Sequence, residues 1–321
     1  MRPGVLVLGT VESDPPPGIE GVGALADVVY AATPEDLAER IGQADVLFFW
    51  HPRPGVLEPV WPKADKLRWI QSASAGVNSV LFPELVESDV MLTNARGVFD
   101  QPIAEYVLGL IVAFAKGFPQ VFADQPDRVW RYRETEPVAG KRLLVVGPGP
   151  IGRAIGRAAR GLSMRVAAVG RAARPGDDVF DEIIGSDSLH AALAEADYVV
   201  DALPLTDGTH HLFDARAFAA MKGTARFINI GRGGTVDEAA LADAVRMAEI
   251  GGAALDVFEE EPLPPDSPLW ELEGVIVSPH MSGDVFGWQE RIVELFAENL
   301  RRYVVGEPLL NVVDKRLGHP V

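Results

Sequence analysis

A short glycine pattern near the middle of the chain constrains its fold more than any other feature. Leu143-Leu144-Val145-Val146 runs into Gly147-Pro148-Gly149-Pro150-Ile151-Gly152, and Arg153–Leu162 then carries a helical pattern. A bare G-x-G-x-x-G says little, because glycine turns are common. Between a strand and a helix it becomes specific, since each glycine then has its own task. Gly147 permits the tight turn, Gly149 lets the backbone approach a pyrophosphate, and Gly152 lets the helix pack close to the strand. The helix start contributes N–H groups and the positive end of its dipole. A dinucleotide site is expected at Gly147, Gly149, Pro150, Ile151 and Gly152.

Short apolar runs alternate with helical patterns along the rest of the chain, as in βαβ units and parallel sheets. Strands are expected at Val5–Leu8, Val46–Trp50, Leu67–Gln71 and Val90–Thr93, with a helix at Pro34–Ile41 opened by Thr33-Pro34-Glu35-Asp36. A second series is expected at Arg142–Val146, Arg165–Val169, Tyr198–Asp201, Arg226–Ile230, Gly252–Leu255 and Val275–Val277. A chain of 321 residues suits two such lobes of about 100–200 residues each. The fingerprint begins behind a complete first series, whereas enzymes acting on L-hydroxy acids usually carry it near the N-terminus. The expected fold is α/β: two Rossmann-like or flavodoxin-like lobes with parallel sheets. The nucleotide lobe (98–284) is inserted into a first lobe (1–97 and 285–321), to which an amphipathic helix near Gln289–Val305 returns. Pro102–Lys116 is apolar on nearly every face and is expected to be buried all round. A domain boundary, a subunit interface or an ordinary core position would each bury it.

Composition narrows the partners. The net charge of −17 repels nucleic acid and anionic membranes, so an anionic ligand needs a local cationic pocket. With no cysteine, disulfides, thiolate metal sites and cysteine nucleophiles are excluded. No run approaches the roughly 20 apolar residues of a membrane span. Val5–Leu8 is too short for the apolar segment of a signal peptide and is followed by Glu12 and Asp14. A soluble cytoplasmic protein without a metal is expected.

The second strand of the nucleotide unit ends in Gly170-Arg171-Ala172-Ala173-Arg174. An NAD site places an acid about 20 residues on, to bind the ribose 2′-hydroxyl. Arg171 stands there instead, 19 residues after Gly152. A solvated turn arginine is one reading. A guanidinium for a 2′-phosphate is the other, favoured because the strand end points into the cofactor crevice.

Three polar sites follow, each at the end of an expected strand, where open parallel sheets bind ligands. They are Gly231-Arg232-Gly233-Gly234, Asp256-Val257-Phe258-Glu259-Glu260-Glu261-Pro262 and Ser278-Pro279-His280-Met281-Ser282-Gly283. Taken singly they read as a turn arginine, a solvated acidic loop and a structural histidine. Together, and in this order behind the fingerprint, they resemble the D-isomer-specific 2-hydroxyacid dehydrogenase family. The matching stretches are LTNARGVFDQPIAEYVLGLIVA, GKRLLVVGPGPIG, ALPLTDGT, INIGRGGTVDEAAL, AALDVFEEEPLP and VSPHMSG, across most of residues 72–283.

The resemblance implies roles for particular residues. Arg232 matches the substrate arginine, Glu261 the glutamate of the catalytic pair, and His280 the acid/base. Asp256 matches the carboxylate that bonds the nicotinamide carboxamide. Leu203, Pro204, Leu205, Thr209, Ile230, Gly231 and His280 match positions along the cofactor, beside Arg171 and Arg174. Ala75, Gly76 and Val77, within Ser74–Asn78, match the loop whose N–H groups hold the substrate carboxylate, in a first lobe that would be the substrate domain.

The chemistry suits these residue types. As hydride reaches a keto carbon, charge grows on the carbonyl oxygen, and an imidazolium can stabilise and then protonate it. An adjacent Glu261 would favour the charged imidazole, and Arg232 would orient the keto acid. The implied activity is reduction of a small 2-keto acid to a D-2-hydroxy acid, with NADP(H) preferred and NAD(H) possible. The pattern is closer to the glyoxylate and hydroxypyruvate reductase branch than to the lactate or phosphoglycerate branch. A homodimer through Pro102–Lys116 is also implied. Glu261 argues against the formate dehydrogenase branch, which lacks that glutamate. A nucleotide-sensing corepressor of the same fold is the rival from another class; the acidic surface favours metabolism. Trp50, Trp130 and Trp288 are candidates either to wall the substrate pocket or to pack in the core.

Overall fold

Runs such as Val5-Leu6-Val7 and Val46-Leu47-Phe48 have apolar side chains on both faces, which suits interior strands covered above and below. In the computed structural model, which describes residues 2–316 and 319–320, they form the middle of a parallel sheet. The chain divides into two compact units, Met1–Phe99 with Val285–Val321, and Asp100–Asp284. Residues 1, 317, 318 and 321, inside the expected range of the first lobe, lie outside the described residues.

In the first unit, β1 (Gly4–Leu8), β2 (Asp27–Ala31), β3 (Val46–Phe49), β4 (Trp69–Ser72) and β5 (Met91–Thr93) pair in the order β2-β1-β3-β4-β5, all parallel. Leu6, Leu8, Leu47 and Ile70 face one core layer with Leu37, whose helix Pro34–Arg40 is capped reciprocally by Thr33 and Asp36. Val5, Val7, Phe48 and Trp69 face the other layer and meet helix Trp288–Val305 through Ile292, Val293, Phe296 and Leu300. The Phe48 and Phe296 rings stack with centroids 4.2 Å apart. Burying a side chain of this size contributes about 1.5–3 kcal/mol, which binds the last long helix to this sheet. β2 has no counterpart among the expected strands. Its apolar run, Val28-Val29-Tyr30-Ala31, lies at a sheet edge, where exposed and half-buried positions alternate.

The second unit carries β6 (Arg142–Val146), β7 (Arg165–Gly170), β8 (Arg174–Pro175), β9 (Glu182–Gly185), β10 (Tyr198–Asp201), β11 (Arg226–Asn229), β12 (Gly252–Leu255) and β13 (Val275–Val277). Their order is β13-β12-β11-β10-β6-β7-β9-β8, parallel except for the β8–β9 pair. The strand order reverses at β6, whose neighbours are β7 and β10. Open α/β sheets bind ligands beyond the carboxyl ends of their strands at such a reversal. The short edge pieces β8 and β9 were not among the expected strands.

Helix Asp100–Lys116 is not buried all round within the single chain. Ile103, Val107, Ile111 and Ala115, at a four-residue spacing, are buried, whereas Leu108, Leu110, Val112 and Phe114 are only half-buried. One face packs within the chain, and among the described residues the other is only partly covered. Phe122, Trp130 and Tyr132 of the same unit are 64%, 100% and 85% exposed. Within the single chain, Trp130 therefore packs in no core and walls no pocket. Trp50 is buried in the first unit, where its ring stacks on Trp288 at 6.3 Å. Among the described residues no single helix is long and apolar enough to cross a membrane, although the pair Asp100–Lys116 and Phe118–Asp124, bent by 66°, together has the length and composition.

Candidate active site

β11, β12 and β13 are adjacent and parallel, with Asn229 opposite Leu255 and Leu255 opposite Val277. The three segments that leave them therefore emerge side by side. Gly231 and Gly233 allow the first to cross its neighbours closely. A Cβ at Gly231 would lie 2.7 Å from the Leu203 oxygen, and one at Gly233 would lie 1.8 Å from the Phe258 carbonyl carbon. Arg232 is thereby held between the segments that begin at Leu203 and end at Glu261. Its carbonyl accepts from Asn229 Nδ2 at 3.1 Å and Thr235 Oγ1 at 2.6 Å, and its guanidinium donates to the Gly231 oxygen at 2.6 Å. Burial draws the Arg232 pKa down against the opposing charges of Glu261 and Asp201.

Glu261 and His280 meet directly, with Oε2 and Nδ1 2.8 Å apart. The other oxygen of Glu261 accepts from the Phe258 amide at 3.0 Å. Burial pushes the Glu261 pKa up, but the bonds from His280 and Phe258 and the charges of His280 and Arg232 bring it below the ordinary value. The Glu261 bond raises the His280 pKa above its ordinary value, against the opposing effect of burial.

The His280 backbone lies in the left-handed region, φ 51°, which few non-glycine residues adopt. Asp256 over-determines that conformation. Its buried carboxylate accepts from Ser278 Oγ at 2.6 Å and from the amides of Met281 and Ser282 at 2.9 Å each, on either side of His280. Asp256 thus pins the turn that presents the imidazole, and one of its oxygens carries only a single bond.

The glycine fingerprint behaves as a cradle. Gly147 has φ 105°, and a Cβ there would lie 2.8 Å from the Ala202 oxygen. At Gly152 a Cβ would lie 2.1 Å from the Gly147 oxygen. At Gly149 it would meet nothing within 4 Å, so this glycine faces open space at the start of helix Pro150–Gly161. No side chain caps that helix start. The geometry fits a pyrophosphate: close packing where the glycines meet protein, and room where they meet ligand.

The remaining expected cofactor positions lie around this cradle. A Cβ at Gly170 would lie 3.2 Å from the Pro148 ring, so Arg171 follows a residue that touches the fingerprint turn. Arg171 and Arg174 are exposed. Ile230 is buried at the end of β11, and its amide bonds the Asp201 oxygen at 3.1 Å. Leu203-Pro204-Leu205 leaves β10, and the Thr209 hydroxyl closes this turn by donating to the Pro204 oxygen at 2.7 Å. In the first unit, Asn94 Nδ2 holds the Ala75 oxygen at 2.6 Å and Ser74 Oγ holds the Gly76 oxygen at 2.5 Å. Among the described residues the amides of Ala75, Gly76 and Val77 bond no protein acceptor. Three unpaired N–H groups in a braced loop suit a carboxylate.

Two site neighbours are absent from the expectations. Asp201 and Thr235, both fully buried, contact one another between the fingerprint strand and Arg232. The only sequence signal was an acid closing the apolar run Tyr198-Val199-Val200. Among the described residues no group of three His, Asp or Glu side chains could hold a metal ion.

Comparison with known proteins agrees with this geometry. Residues 108–282 match the family profile described as D-isomer specific 2-hydroxyacid dehydrogenase, NAD binding domain. A D-3-phosphoglycerate dehydrogenase of Methanocaldococcus jannaschii is 33% identical over 97% of this chain; the chain spans only 59% of that relative. A glyoxylate reductase of Korarchaeum cryptofilum is 32% identical over 88% of this chain and 86% of its own. Among solved structures, an NADPH-dependent glyoxylate/hydroxypyruvate reductase of Sinorhizobium meliloti, in complex with NADP and sulfate, superposes with a TM-score of 0.83. It is 25% identical and covers 99% of this chain and 100% of its own. Fold, fingerprint and matched sequence agree that the chain belongs to the D-isomer specific 2-hydroxyacid dehydrogenase family.

Proposed function

We propose that this protein reduces small 2-keto acids of the glyoxylate and hydroxypyruvate type to D-2-hydroxy acids, with NADP(H) preferred over NAD(H). The observation that carries the reading is the 2.8 Å contact of His280 with Glu261 beside Arg232. Gly147, Gly149, Pro150, Ile151 and Gly152 would hold the pyrophosphate. Leu203, Pro204, Leu205, Thr209, Ile230, Gly231, Asp256 and His280 would line the nucleotide, with Arg171 and Arg174 at its 2′-phosphate. Bound there, the nicotinamide supplies a hydride. The protein's own residues do the rest. Ala75, Gly76 and Val77 offer N–H groups to the substrate carboxylate, and Arg232 orients the keto group and stabilises negative charge on its oxygen. His280, kept protonated by Glu261, donates from Nε2 to that oxygen.

The similarity to the NADPH-dependent Sinorhizobium reductase, bound to NADP, supports the cofactor and substrate class. The half-buried face of helix Asp100–Lys116 and the exposed Phe122, Trp130 and Tyr132 support a homodimer through that surface. We place the protein in the cytoplasm, free of nucleic acid and membrane. Oxidation of NADPH with glyoxylate or hydroxypyruvate, run beside pyruvate, phosphohydroxypyruvate and NADH, tests the reading. Cofactor binding without turnover of any keto acid would favour a nucleotide-sensing role instead.

A further inference from the structure

The Asp201–Thr235 pair raises a question of proton count. The Thr235 hydroxyl lies within hydrogen-bond distance of both Asp201 Oδ2 and the Arg232 carbonyl oxygen, at 2.6 Å from the latter. A hydroxyl carries one hydrogen, and a carbonyl oxygen can only accept. If Thr235 donates to Arg232, its contact with Asp201 is a hydrogen bond only when the carboxyl is the donor. The other oxygen of Asp201 fits that assignment, since Oδ1 accepts from the Leu203 amide at 3.0 Å. One oxygen accepts and the other donates, as in a carboxylic acid.

We propose that Asp201 is a neutral carboxylic acid whose proton, relayed through Thr235, locks the backbone of Arg232 in its substrate-binding position. This rests on the assignment of Arg232 as the substrate arginine. Burial supports it: Asp201 has no solvent exposure, and an isolated carboxylate there is costly. Its strand neighbours are Val146 on β6 and Asn229 on β11, neither of them ionisable. The charged group acting on it is Arg232, whose pull toward ionisation is outweighed by desolvation, so that the Asp201 pKa is pushed up to about 7. A neutral Asp201 leaves the guanidinium charge for the substrate. As pH rises through this value, the carboxylate claims the Thr235 hydrogen. Arg232 then loses that bond and gains a buried competing anion. Asp201 is a positioning residue, and its ionisation should weaken keto-acid binding rather than the chemical step.

The difference infrared spectrum of unmodified protein against Asp201→Asn, recorded without substrate, reads the proton directly. A protonated-carboxyl band at pH 6 that fades above pH 7 and is missing from the variant is expected. Thr235→Val should shift that band, because the acid loses its acceptor. In assays, the keto-acid KM of the unmodified enzyme should rise about 2- to 10-fold between pH 6 and 8.5, the scale of one hydrogen bond. Asp201→Asn can still donate to Thr235 and should hold KM flat while kcat keeps its own pH limb. No carboxyl band in folded protein at pH 6, an unmoved band in Thr235→Val, or an unchanged KM profile in Asp201→Asn would each overturn the proposal. A protein that shows the band but reduces no keto acid would keep the buried acid and lose the reductase reading.

Discussion

The Nδ1 atom of His280 lies 2.8 Å from Oε2 of Glu261, and Nε2 has no partner among the described residues. The carboxylate thus fixes the ring by one nitrogen and leaves the other for substrate. The His280 pKa is raised chiefly by this bond, so reduction should proceed below the raised value and fall as pH passes it. Glu261→Gln should move that loss to lower pH, and His280→Ala should lower kcat by about 10²–10⁴-fold at every pH. The pair also contributes to stability in a window. The His280 share is present below its unfolded pKa and lost as pH rises through the raised one. The Glu261 share is present above its unfolded pKa and lost as pH falls through the lowered one. Both side chains are over a third exposed, 52% and 37%, so the effect on a urea midpoint should be small. An alkaline limb that stays in place in Glu261→Gln would dissociate the pair.

The fingerprint glycines separate folding from binding. Gly152→Ala places a Cβ 2.1 Å from the Gly147 oxygen, which the backbone must move to admit, so its Tm should drop. Gly149→Ala meets nothing within 4 Å and should leave Tm within experimental error. Its dinucleotide affinity should nevertheless fall by about tenfold or more, since the methyl fills the space a pyrophosphate would take. Titration of NADPH into the folded Gly149→Ala protein checks this; unchanged affinity would move the cofactor elsewhere.

Cofactor choice should depend on Arg171. One charge-assisted hydrogen bond to a 2′-phosphate contributes roughly 1.5–3 kcal/mol, which is on the order of 10- to 100-fold in affinity. Arg171→Ala should raise the KM for NADPH by that factor and leave the KM for NADH nearly unchanged. Added salt should weaken NADPH binding more than NADH binding. Equal kcat/KM for the two cofactors in the unmodified enzyme would count against this role.

Association should depend on the uncovered apolar surface of the second unit. Sedimentation of the unmodified protein at micromolar concentration should give a dimer. Replacing Phe122 and Trp130, 64% and 100% exposed, with glutamate should shift it toward monomer, because buried unpaired charge opposes the contact. A monomer before substitution would remove the idea.

Local order was legible in the sequence because its causes are local. Apolar runs such as Leu143–Val146 specify interior strands by their side chains alone. The glycines of the fingerprint and of Gly231-Arg232-Gly233 mark places where only a missing Cβ lets two backbones approach. The order of Arg232, Glu261 and His280 behind that fingerprint pointed to one chemistry, though each alone read as ordinary. Other features depend on which segments the fold brings together, and no window of sequence contains that. β2 and β9 are short and lie toward sheet edges, and the neighbouring strands that supply their hydrogen bonds are distant in any window of sequence. Trp130 is exposed although tryptophan usually packs, and helix Asp100–Lys116 buries one face of an apolar surface that covers more than one. Asp256 meets Ser278, Met281 and Ser282 across parallel strands, and Asp201 meets Thr235 beyond the next strand. Those contacts hold the catalytic turns, and their energy comes from burial that exists only once the sheet has closed over them.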